Sequence, residues 1–387
     1  MKRIYIYLSF LILIGNITLA QAQNTALPIM KTKPYLQRPT PDGITITWVT
    51  NSLVHSWVEY GEDPTLLDKK AQTLVDGQVV CYNRLHKIRL NDLKPNTKYY
   101  YKAISREITL YQAYKKEFGE TETTPLYSFT TPSDASTDFT AIVMNDLHKN
   151  KETLKNLMDQ VKNFDYDFVL FNGDCIDDPS NEETVLDYLT YMNEQVKAEE
   201  HPIFLLRGNH EIRNAYSIRL RDYIDYVGGD NSYGSFNWGD TRFVLLDCGE
   251  DKPDDHWVYY SLNDFDSFRK DQVKFLEEEF KTECFQKATK RILIHHIPIY
   301  SCTDKYQPCR DLWHPLLNNA PFDIALNGHV HQYKYTYVGE DINTFPTIIG
   351  GGPNKNTATI IVLDKKGNNL TVTVISDNGE ELLKLNL

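Results

Sequence analysis

Apolar and polar residues alternate along several short stretches in the first third of the chain, a pattern typical of strands with one buried face. These stretches cover positions 44–49, 57–60, 86–90 and 99–103. Turn-forming residues, for example Pro41, Asp42 and Gly43, lie between them. The pattern predicts an all-β sandwich over residues 24–133, in which we interpret the polar stretch 117–124 as a loop.

A different pattern begins near residue 138, where apolar runs alternate with stretches of helical period. The apolar runs predict buried strands at 140–144, 168–171, 203–206, 243–246, 292–294 and 324–326. Apolar residues spaced three and four positions apart predict helices at 151–163, 186–196 and 273–280. The polar stretch 131–136 separates the two patterns, so we predict two domains, the second an α/β domain over residues 138–387.

One tyrosine has the local sequence of a tyrosine corner. Tyr99 begins a predicted strand six residues after Leu93, which is the spacing of that motif. Fibronectin type III domains have this feature, and the first domain resembles them.

Composition narrows the class of protein and of partner. The chain has 387 residues and carries 41 Lys and Arg against 53 Asp and Glu, a net charge of −12. This charge disfavours duplex nucleic acid or an anionic membrane surface as the main partner. Hydrophobic residues make up 41% and charged residues 24% of the chain, which excludes a disordered, collagen-like or coiled-coil protein.

The first residues have the layout of an export signal. Lys2 and Arg3 precede a mostly apolar run at 4–14, and Ala20 and Ala22 supply the small residues that a signal peptidase needs. The run has 11 residues, well short of the ~20 that span a bilayer. We therefore predict a signal peptide over residues 1–22, no membrane span, and export to a periplasm or the extracellular space.

Six cysteines in an exported protein suggest disulfide bonds. Cys302 and Cys309 lie in one polar stretch and are the most plausible pair. Cys175 and Cys248 each follow an Asp at the end of an apolar run, so neighbouring strands could bring them together. Buried free thiols are the alternative for all but the first pair.

Five predicted strands of the second domain run directly into short groups of residues that commonly ligate metals. The groups are Asp146-Leu147-His148, Gly173-Asp174, Gly208-Asn209-His210-Glu211, His295-His296 and Gly328-His329-Val330-His331. The carboxyl ends of strands in an α/β sheet line one crevice, so groups far apart in sequence can converge there. Each group alone is common in structural roles, but the five together indicate a metal site. Asp oxygen and His nitrogen in combination suit Zn, Fe or Mn better than Ca or Mg.

This ordered series resembles the calcineurin-like metallophosphoesterase superfamily, and the preceding β-sandwich makes the chain similar to the purple acid phosphatase branch. Residues 33–37 and 58–61 also resemble the N-terminal domain of that branch. The resemblance implies a four-layer α/β metallophosphoesterase sandwich, with two sheets between helices, preceded by an all-β fibronectin III-like sandwich.

The resemblance also implies two divalent or trivalent metal ions, Fe, Zn or Mn, bridged by Asp174. The implied ligands are Asp146, His148, Asp174 and His331 for the first ion, and Asp174, Asn209, His296 and His329 for the second. His296 is preferred because His296, Ile297 and Pro298 reproduce the His-x-Pro spacing of the family, and His295 remains the alternative.

Two positions depart from the family pattern. Asn145 stands where the family usually has Gly before the first Asp, which changes the turn rather than a ligand. Asp177 lies three residues after the bridging Asp, where true purple enzymes have a Tyr. The resemblance therefore implies that the tyrosinate-to-iron absorption is absent. We expect Asp177 to be a surface carboxylate or to support a ligand.

Two cations roughly 3.5 to 4 Å apart can make hydroxide available near neutral pH and can clamp phosphoryl oxygens for in-line attack. We expect hydrolysis of a small-molecule phosphomonoester by a metal-bridging hydroxide, with Asp174 and His210 as the catalytic residues. His210 would bind the phosphate or protonate the leaving alkoxide, unless it only supports Asn209. Arg207 and Arg213 flank this loop and could bind phosphate as forks, although Arg at a loop edge is more often solvated.

Two other functions are compatible with parts of the sequence. Cleavage of phosphodiesters or nucleotides at the same site is an alternative activity. An alternative of another class is a secreted binding or adhesion protein with an inactive hydrolase domain. Retention of ligand-competent side chains at all seven implied positions argues against this last function.

Overall fold

The structure, a computed structural model, describes residues 27–133 and 138–387. The predicted signal peptide at 1–22 lies outside these ranges. The first part forms nine strands: β1 (Tyr35–Thr40), β2 (Gly43–Gly61), β3 (Lys69–Ala71), β4 (Leu74–Val75), β5 (Gln78–Val79), β6 (Asn83–Leu90), β7 (Lys98–Tyr111), β8 (Lys116–Thr123) and β9 (Tyr127–Thr130).

Alternating side chains of these strands build the core of the sandwich. Trp48, Tyr101 and Phe129 are buried in this core. The Tyr99 hydroxyl accepts a hydrogen bond from the Lys94 N–H at 3.0 Å, so the predicted tyrosine corner is present. Two predicted strands, at 44–49 and 57–60, are parts of the single strand β2.

The loop predicted at 117–124 is wrong, because residues 117–123 belong to β8, which pairs with β7. Most of its side chains are exposed. An edge strand with two solvated faces has no apolar alternation, so the sequence pattern that predicts strands is missing there.

The second part alternates strands and helices. Its strands are β10 (Phe139–Met144), β11 (Phe168–Asn172), β12 (Ile203–Leu206), β13 (Gly234–Trp238), β14 (Thr241–Leu246), β15 (Lys290–His295), β16 (Ile324–Asn327), β17 (Lys334–Thr336), β18 (Thr347–Ile349), β19 (Thr359–Lys366), β20 (Asn369–Ser376) and β21 (Glu381–Asn386). Its α-helices are α1 (Lys151–Val161), α2 (Glu182–Gln195), α3 (Leu220–Tyr223), α4 (Phe265–Glu279), α5 (Glu283–Lys287) and α6 (Pro308–Leu317).

These elements form four layers. One sheet has the order β21-β20-β19-β10-β11-β12, the other the order β13-β14-β15-β16-β18-β17. Phe168, Phe243 and Ile294 are among the apolar side chains that pack between the two sheets. Helices α1 and α2 cover the outer face of the first sheet, and α4, α5 and α6 cover that of the second. The predicted fold, two sheets between helices after a β-sandwich, is therefore confirmed.

The sandwich is joined to the α/β part by main-chain pairing and by buried side chains. Strand β1 pairs in parallel with β12, at Gln37 and Ile203. The Tyr223 carbonyl accepts hydrogen bonds from the Tyr35 hydroxyl at 2.8 Å and from the Gln37 amide at 2.9 Å. These contacts fix the sandwich against the sheet that carries β10 to β12.

All six cysteines lie within the described residues and are free thiols. The predicted Cys302–Cys309 disulfide is wrong: Cys302 Sγ lies 3.0 Å from Asp304 Oδ2, whereas Cys309 is buried with its Sγ 3.7 Å from the Cys248 carbonyl oxygen. Cys175 and Cys248 follow strands of different sheets, so that pair is wrong as well. The alternative, buried free thiols, holds for both of them.

Candidate metal centre

The five predicted groups follow strands β10, β11, β12, β15 and β16 at their carboxyl ends, apart from His295, which is the last residue of β15. Five of the seven implied ligands have positive backbone φ angles: Asp146 (49°), His148 (44°), Asp174 (51°), His329 (72°) and His331 (61°). This left-handed conformation is uncommon for residues other than glycine, and it concentrates at functional sites. Tight turns at the strand ends thus aim the side chains into one crevice.

Two glycines allow the turns to approach each other. A Cβ atom at Gly208 would collide with the Asp174 carboxylate, and one at Gly328 would collide with the Asp146 carboxylate. The space that a side chain would need is therefore filled by the implied ligands. Any larger residue at either position would displace a carboxylate.

Four implied ligands form a first group, whose donor atoms all lie within 4.8 Å of one another: Asp146, His148, Asp174 and His331. His331 Nε2 lies 3.2 Å from Asp146 Oδ1 and 2.9 Å from His148 Nε2. His148 Nε2 is 3.8 Å from Asp174 Oδ2. The structure thus brings together the complete set that the resemblance implies for one ion.

A second group shares Asp174 with the first. Asp174, His296 and His329 have donor atoms within 4.8 Å of one another. His296 Nε2 lies 3.1 Å from Asp174 Oδ2, and Asn209 Oδ1 lies 3.0 Å from His329 Nδ1. All seven implied ligands therefore converge, with Asp174 between the two groups.

Two buried ligand atoms in this cluster form no hydrogen bond of good geometry with the described residues, although each lies 3.1 to 3.2 Å from a neighbouring ligand atom. They are Asp146 Oδ1 and His296 Nε2, which lie 3.8 Å apart. The other ring nitrogen of His296 donates to the Asn172 carbonyl at 2.8 Å, so Nε2 is free to act as a ligand. Unpaired buried polar atoms are costly, and a cation would satisfy both. The residues present fit a metal centre.

Neighbouring side chains orient the donors. Asp177 Oδ1 lies 2.8 Å from His148 Nδ1, which leaves Nε2 of that ring facing the first group. Asn145 Nδ2 donates to Asp146 Oδ2 at 2.6 Å and to the Gly351 carbonyl at 3.0 Å. Asp177 is therefore a supporting carboxylate, one of the two roles expected for it.

The sequence analysis assigns no role to Glu211, but this residue joins the loops after β11 and β12 through hydrogen bonds. This fully buried carboxylate accepts four backbone N–H groups, those of Asp174, Cys175, Ile176 and Gly208, at distances of 2.7 to 2.8 Å. The group Gly-Asn-His-Glu contains it, but a sequence does not show that four N–H groups of separate loops point at one side chain.

The structure gives defined partners to three residues whose roles the sequence left open. The His295 ring is buried next to Asn327 and the Ile297 carbonyl, so His296 is the histidine that joins the cluster. Arg207 Nε donates to Asp247 Oδ2 at 2.7 Å, so the guanidinium already binds a carboxylate of the protein. His210 lies at the edge of the cluster, where its backbone N–H donates to Asp174 Oδ1 at 2.9 Å.

Opposite charges inside the cluster shift each other's pKa values. Burial alone would raise the pKa of Asp174, but the adjacent His296 lowers that pKa to about 2. Burial alone would lower the pKa of His296, but the carboxylates of Asp174 and Asp146 raise it to about 10. The carboxylates thus attract positive charge, which protons supply in the protein alone and which metal ions would supply by displacing them.

A cleft of about 520 Å³ opens beside His329. It is lined by residues of the loop after β15 and of the segment leading into β17, among them Thr303, Asp304, Gln332 and Tyr333. Its size is that of a small-molecule site. Within the described ranges, no helix is both long and apolar enough to cross a membrane.

Comparisons with known proteins define the class. The family model described as calcineurin-like phosphoesterase matches residues 139–333. The model described as the N-terminal domain of purple acid phosphatase matches residues 32–131. The chain therefore belongs to the calcineurin-like phosphoesterase family and is a phosphoric ester hydrolase.

The curated relatives point to the purple acid phosphatase branch, and two solved structures share the fold. Purple acid phosphatase 21 of Arabidopsis thaliana is 26% identical over 339 residues, which cover 81% of this chain and 69% of that protein. Purple acid phosphatase PPD1 of yellow lupin, Lupinus luteus, has a similar fold, with a TM-score of 0.67, 17% identity, and coverage of 91% of this chain and 73% of that one. A structure of PhoD gives a TM-score of 0.64 at 12% identity, covering 93% and 94% of the two chains. The chain is a purple acid phosphatase-like metallophosphoesterase.

Proposed function

We propose that this chain is an exported, dinuclear metal-dependent phosphoesterase that hydrolyses phosphomonoesters of small molecules. One observation carries the proposal. Seven ligand side chains from five strand ends converge, six of them in two groups that share Asp174 and the seventh, Asn209, beside His329, and two of their buried ligand atoms form no hydrogen bond of good geometry with the described residues.

Asp146, His148 and His331 would hold one ion, Asn209, His296 and His329 the other, and Asp174 both. Two cations in these groups would lower the pKa of a water molecule and neutralise the charge of the phosphoryl group. Asn209 is a neutral ligand and leaves its ion more electrophilic than a carboxylate would, which suits the ion that receives substrate. The identity of the metals is left to elemental analysis.

Side chains and backbone groups of the protein would orient the metal ligands, and a further histidine would transfer a proton. Asp177 and the Asn172 carbonyl each bind the second ring nitrogen of a histidine, His148 and His296 respectively, and so select the nitrogen that faces the cluster. We expect His210, whose side chain is about one quarter exposed (26%), to donate a proton to the leaving alkoxide. The cleft beside His329 would hold the leaving group.

Asp177 determines which visible absorption we expect from an iron-loaded protein. It takes the place of the tyrosine of true purple enzymes and hydrogen-bonds a histidine instead. We expect an iron-loaded sample to lack the tyrosinate absorption in the visible range.

Two substrates test the ester preference. The metal-loaded protein should turn over p-nitrophenyl phosphate faster than bis-p-nitrophenyl phosphate. Faster hydrolysis of the diester would favour the phosphodiesterase alternative, and no hydrolysis of either together with no bound metal would favour the inactive binding protein.

Export is tested separately. We expect protein secreted from an expressing cell to begin near residue 23, and mass spectrometry of the mature N-terminus measures this. Retention of residues 1–22 on the secreted protein would contradict the signal peptide.

A further inference from the structure

Arg213 contacts His210 through one nitrogen. Its Nη1 lies 2.9 Å from His210 Nε2. Because a guanidinium only donates, Nε2 is the acceptor in this contact and the ring carries its hydrogen on Nδ1. Nη1 has two hydrogens, so one of them is still available for a further acceptor.

The rest of the guanidinium is held away from the site. Nε and Nη2 donate to the two carboxylate oxygens of Glu250 at 2.9 and 3.2 Å, and Nη2 also lies 3.3 Å from Asp251 Oδ1. Glu250 is itself buried and accepts a hydrogen bond from the Tyr259 hydroxyl at 2.8 Å. Arg213 therefore cannot bind phosphate as a fork, and Nη1 alone faces His210.

Arg213 remains reachable from solvent, as its side chain is 27% exposed and that of His210 is 26% exposed. Arg207, the other arginine next to this loop, has only 17% exposure and donates to Asp247. Of these two arginines, Arg213 is the one with a donor directed at the edge of the metal centre.

We propose that Arg213, fixed by Glu250, is a substrate-binding residue whose Nη1 donates to a phosphoryl oxygen placed next to His210. This inference rests on the proposed function. The Nη1–Nε2 contact marks the place where that oxygen would sit, since an oxygen entering there accepts from Nη1 in place of His210 Nε2, which is then free to carry the proton that the leaving alkoxide takes. The ligand class is a phosphate monoester or inorganic phosphate, in which an unesterified oxygen carries negative charge.

The test uses the metal-loaded full chain, with inorganic phosphate as the probe. We expect Arg213→Met to raise the inhibition constant of phosphate and to lower kcat/KM for p-nitrophenyl phosphate, each by about tenfold to a hundredfold, the range of one charge-assisted hydrogen bond. Arg213→Lys keeps the charge and should recover part of both. Glu250→Gln weakens the anchor and should give an intermediate loss.

Arg242→Met is the matched control, because Arg242 also forms a fork with a carboxylate, that of Glu279, at 2.6 and 2.8 Å. It should leave phosphate inhibition and kcat/KM unchanged. Metal content measured on each variant separates loss of the centre from loss of the contact. Wild-type values for a folded, metal-loaded Arg213→Met protein would overturn the inference and leave the proposed function standing. A wild-type protein without any phosphoesterase activity would overturn the proposed function itself.

Discussion

The Nε2 atoms of His148 and His331 face each other at 2.9 Å. His148 binds Asp177 through its other nitrogen at 2.8 Å, so in the neutral ring Nε2 is an acceptor. Two imidazole nitrogens at this distance need a shared proton or cation between or beside them. Asp146 Oδ1, 3.2 Å from His331 Nε2, adds negative charge at the same place. The ligand atoms of the first group therefore surround one place where a cation would be stabilised.

The support that Asp177 gives to His148 is the first feature to test. Asp177→Asn keeps the shape of the side chain and removes its charge, so His148 is a weaker and less well oriented ligand. We expect metal affinity and kcat/KM to fall by about tenfold to a hundredfold. Metal titration and steady-state kinetics measure the two effects.

Asp187→Asn controls for this substitution, because Asp187 is exposed and, among the residues that the structure describes, pairs with the exposed Lys151. It should change neither quantity. Equal behaviour of the two variants would remove Asp177 from the account of the site.

Glu211 should be essential for the arrangement of the loops. In Glu211→Gln an amide NH₂ replaces an oxygen that accepts two backbone N–H groups, so donors face donors in a buried space. We expect the free energy of unfolding to fall by about 3 kcal/mol and metal binding to be lost. Chemical denaturation and elemental analysis check this, with the exposed Glu277→Gln as a control that should behave as wild type. A Glu211→Gln protein of unchanged stability would contradict the role of the carboxylate.

A buried histidine in the sandwich predicts a pH dependence of stability. Burial lowers the pKa of His86 from 6.5 to about 3. Well above pH 6.5 the ring is neutral in both the folded and the unfolded state, so the protonation of His86 takes nothing from the free energy of unfolding. As the pH falls towards 3, the unfolded chain takes up a proton that the folded chain does not, so stability falls by up to about 1.4 kcal/mol per pH unit.

Urea denaturation at pH 8 and pH 5, followed by the fluorescence of the neighbouring Trp48, measures this dependence. His86→Gln should reduce the acid loss. Thr50→Val removes the hydroxyl 3.0 Å from His86 Nε2 but leaves the ring buried, so the loss should remain. An equal acid loss in the wild type and in His86→Gln would show that other groups cause it.

Much of the α/β part was predictable because its central strands are buried on both sides and read as apolar runs. Strand β12, Ile203–Leu206, has the predicted bounds. Helix α4 begins at Phe265, well before the predicted start at 273. Strand β8 is exposed on both faces, so its sequence has neither an apolar run nor an apolar alternation from which the strand could be predicted.

The convergence of the site followed from topology, since five strand ends at one edge bring their loops together. The contacts of Glu211 and Arg213 were not predictable in this way. Glu211 serves N–H groups of separate loops, and Arg213 depends on Glu250, 37 positions away in the chain. Such contacts are set by the packing of loops, which residue spacing does not encode. The cysteine pairs failed for a related reason. Cys302 and Cys309 were paired because they share one polar stretch, and Cys175 and Cys248 because each follows a strand, but those two strands belong to different sheets.

Asp174 is the residue on which the two-ion account depends most, since its carboxylate belongs to both groups of donors. The most direct measurement is the metal content of the protein, purified without chelator and then saturated with zinc, iron or manganese, determined together with hydrolysis of p-nitrophenyl phosphate. We predict two transition-metal ions per chain and activity in the wild type, and loss of both properties in a folded Asp174→Asn variant. A wild-type chain that binds no such ion under saturation, or an Asp174→Asn variant with full turnover, would contradict the account.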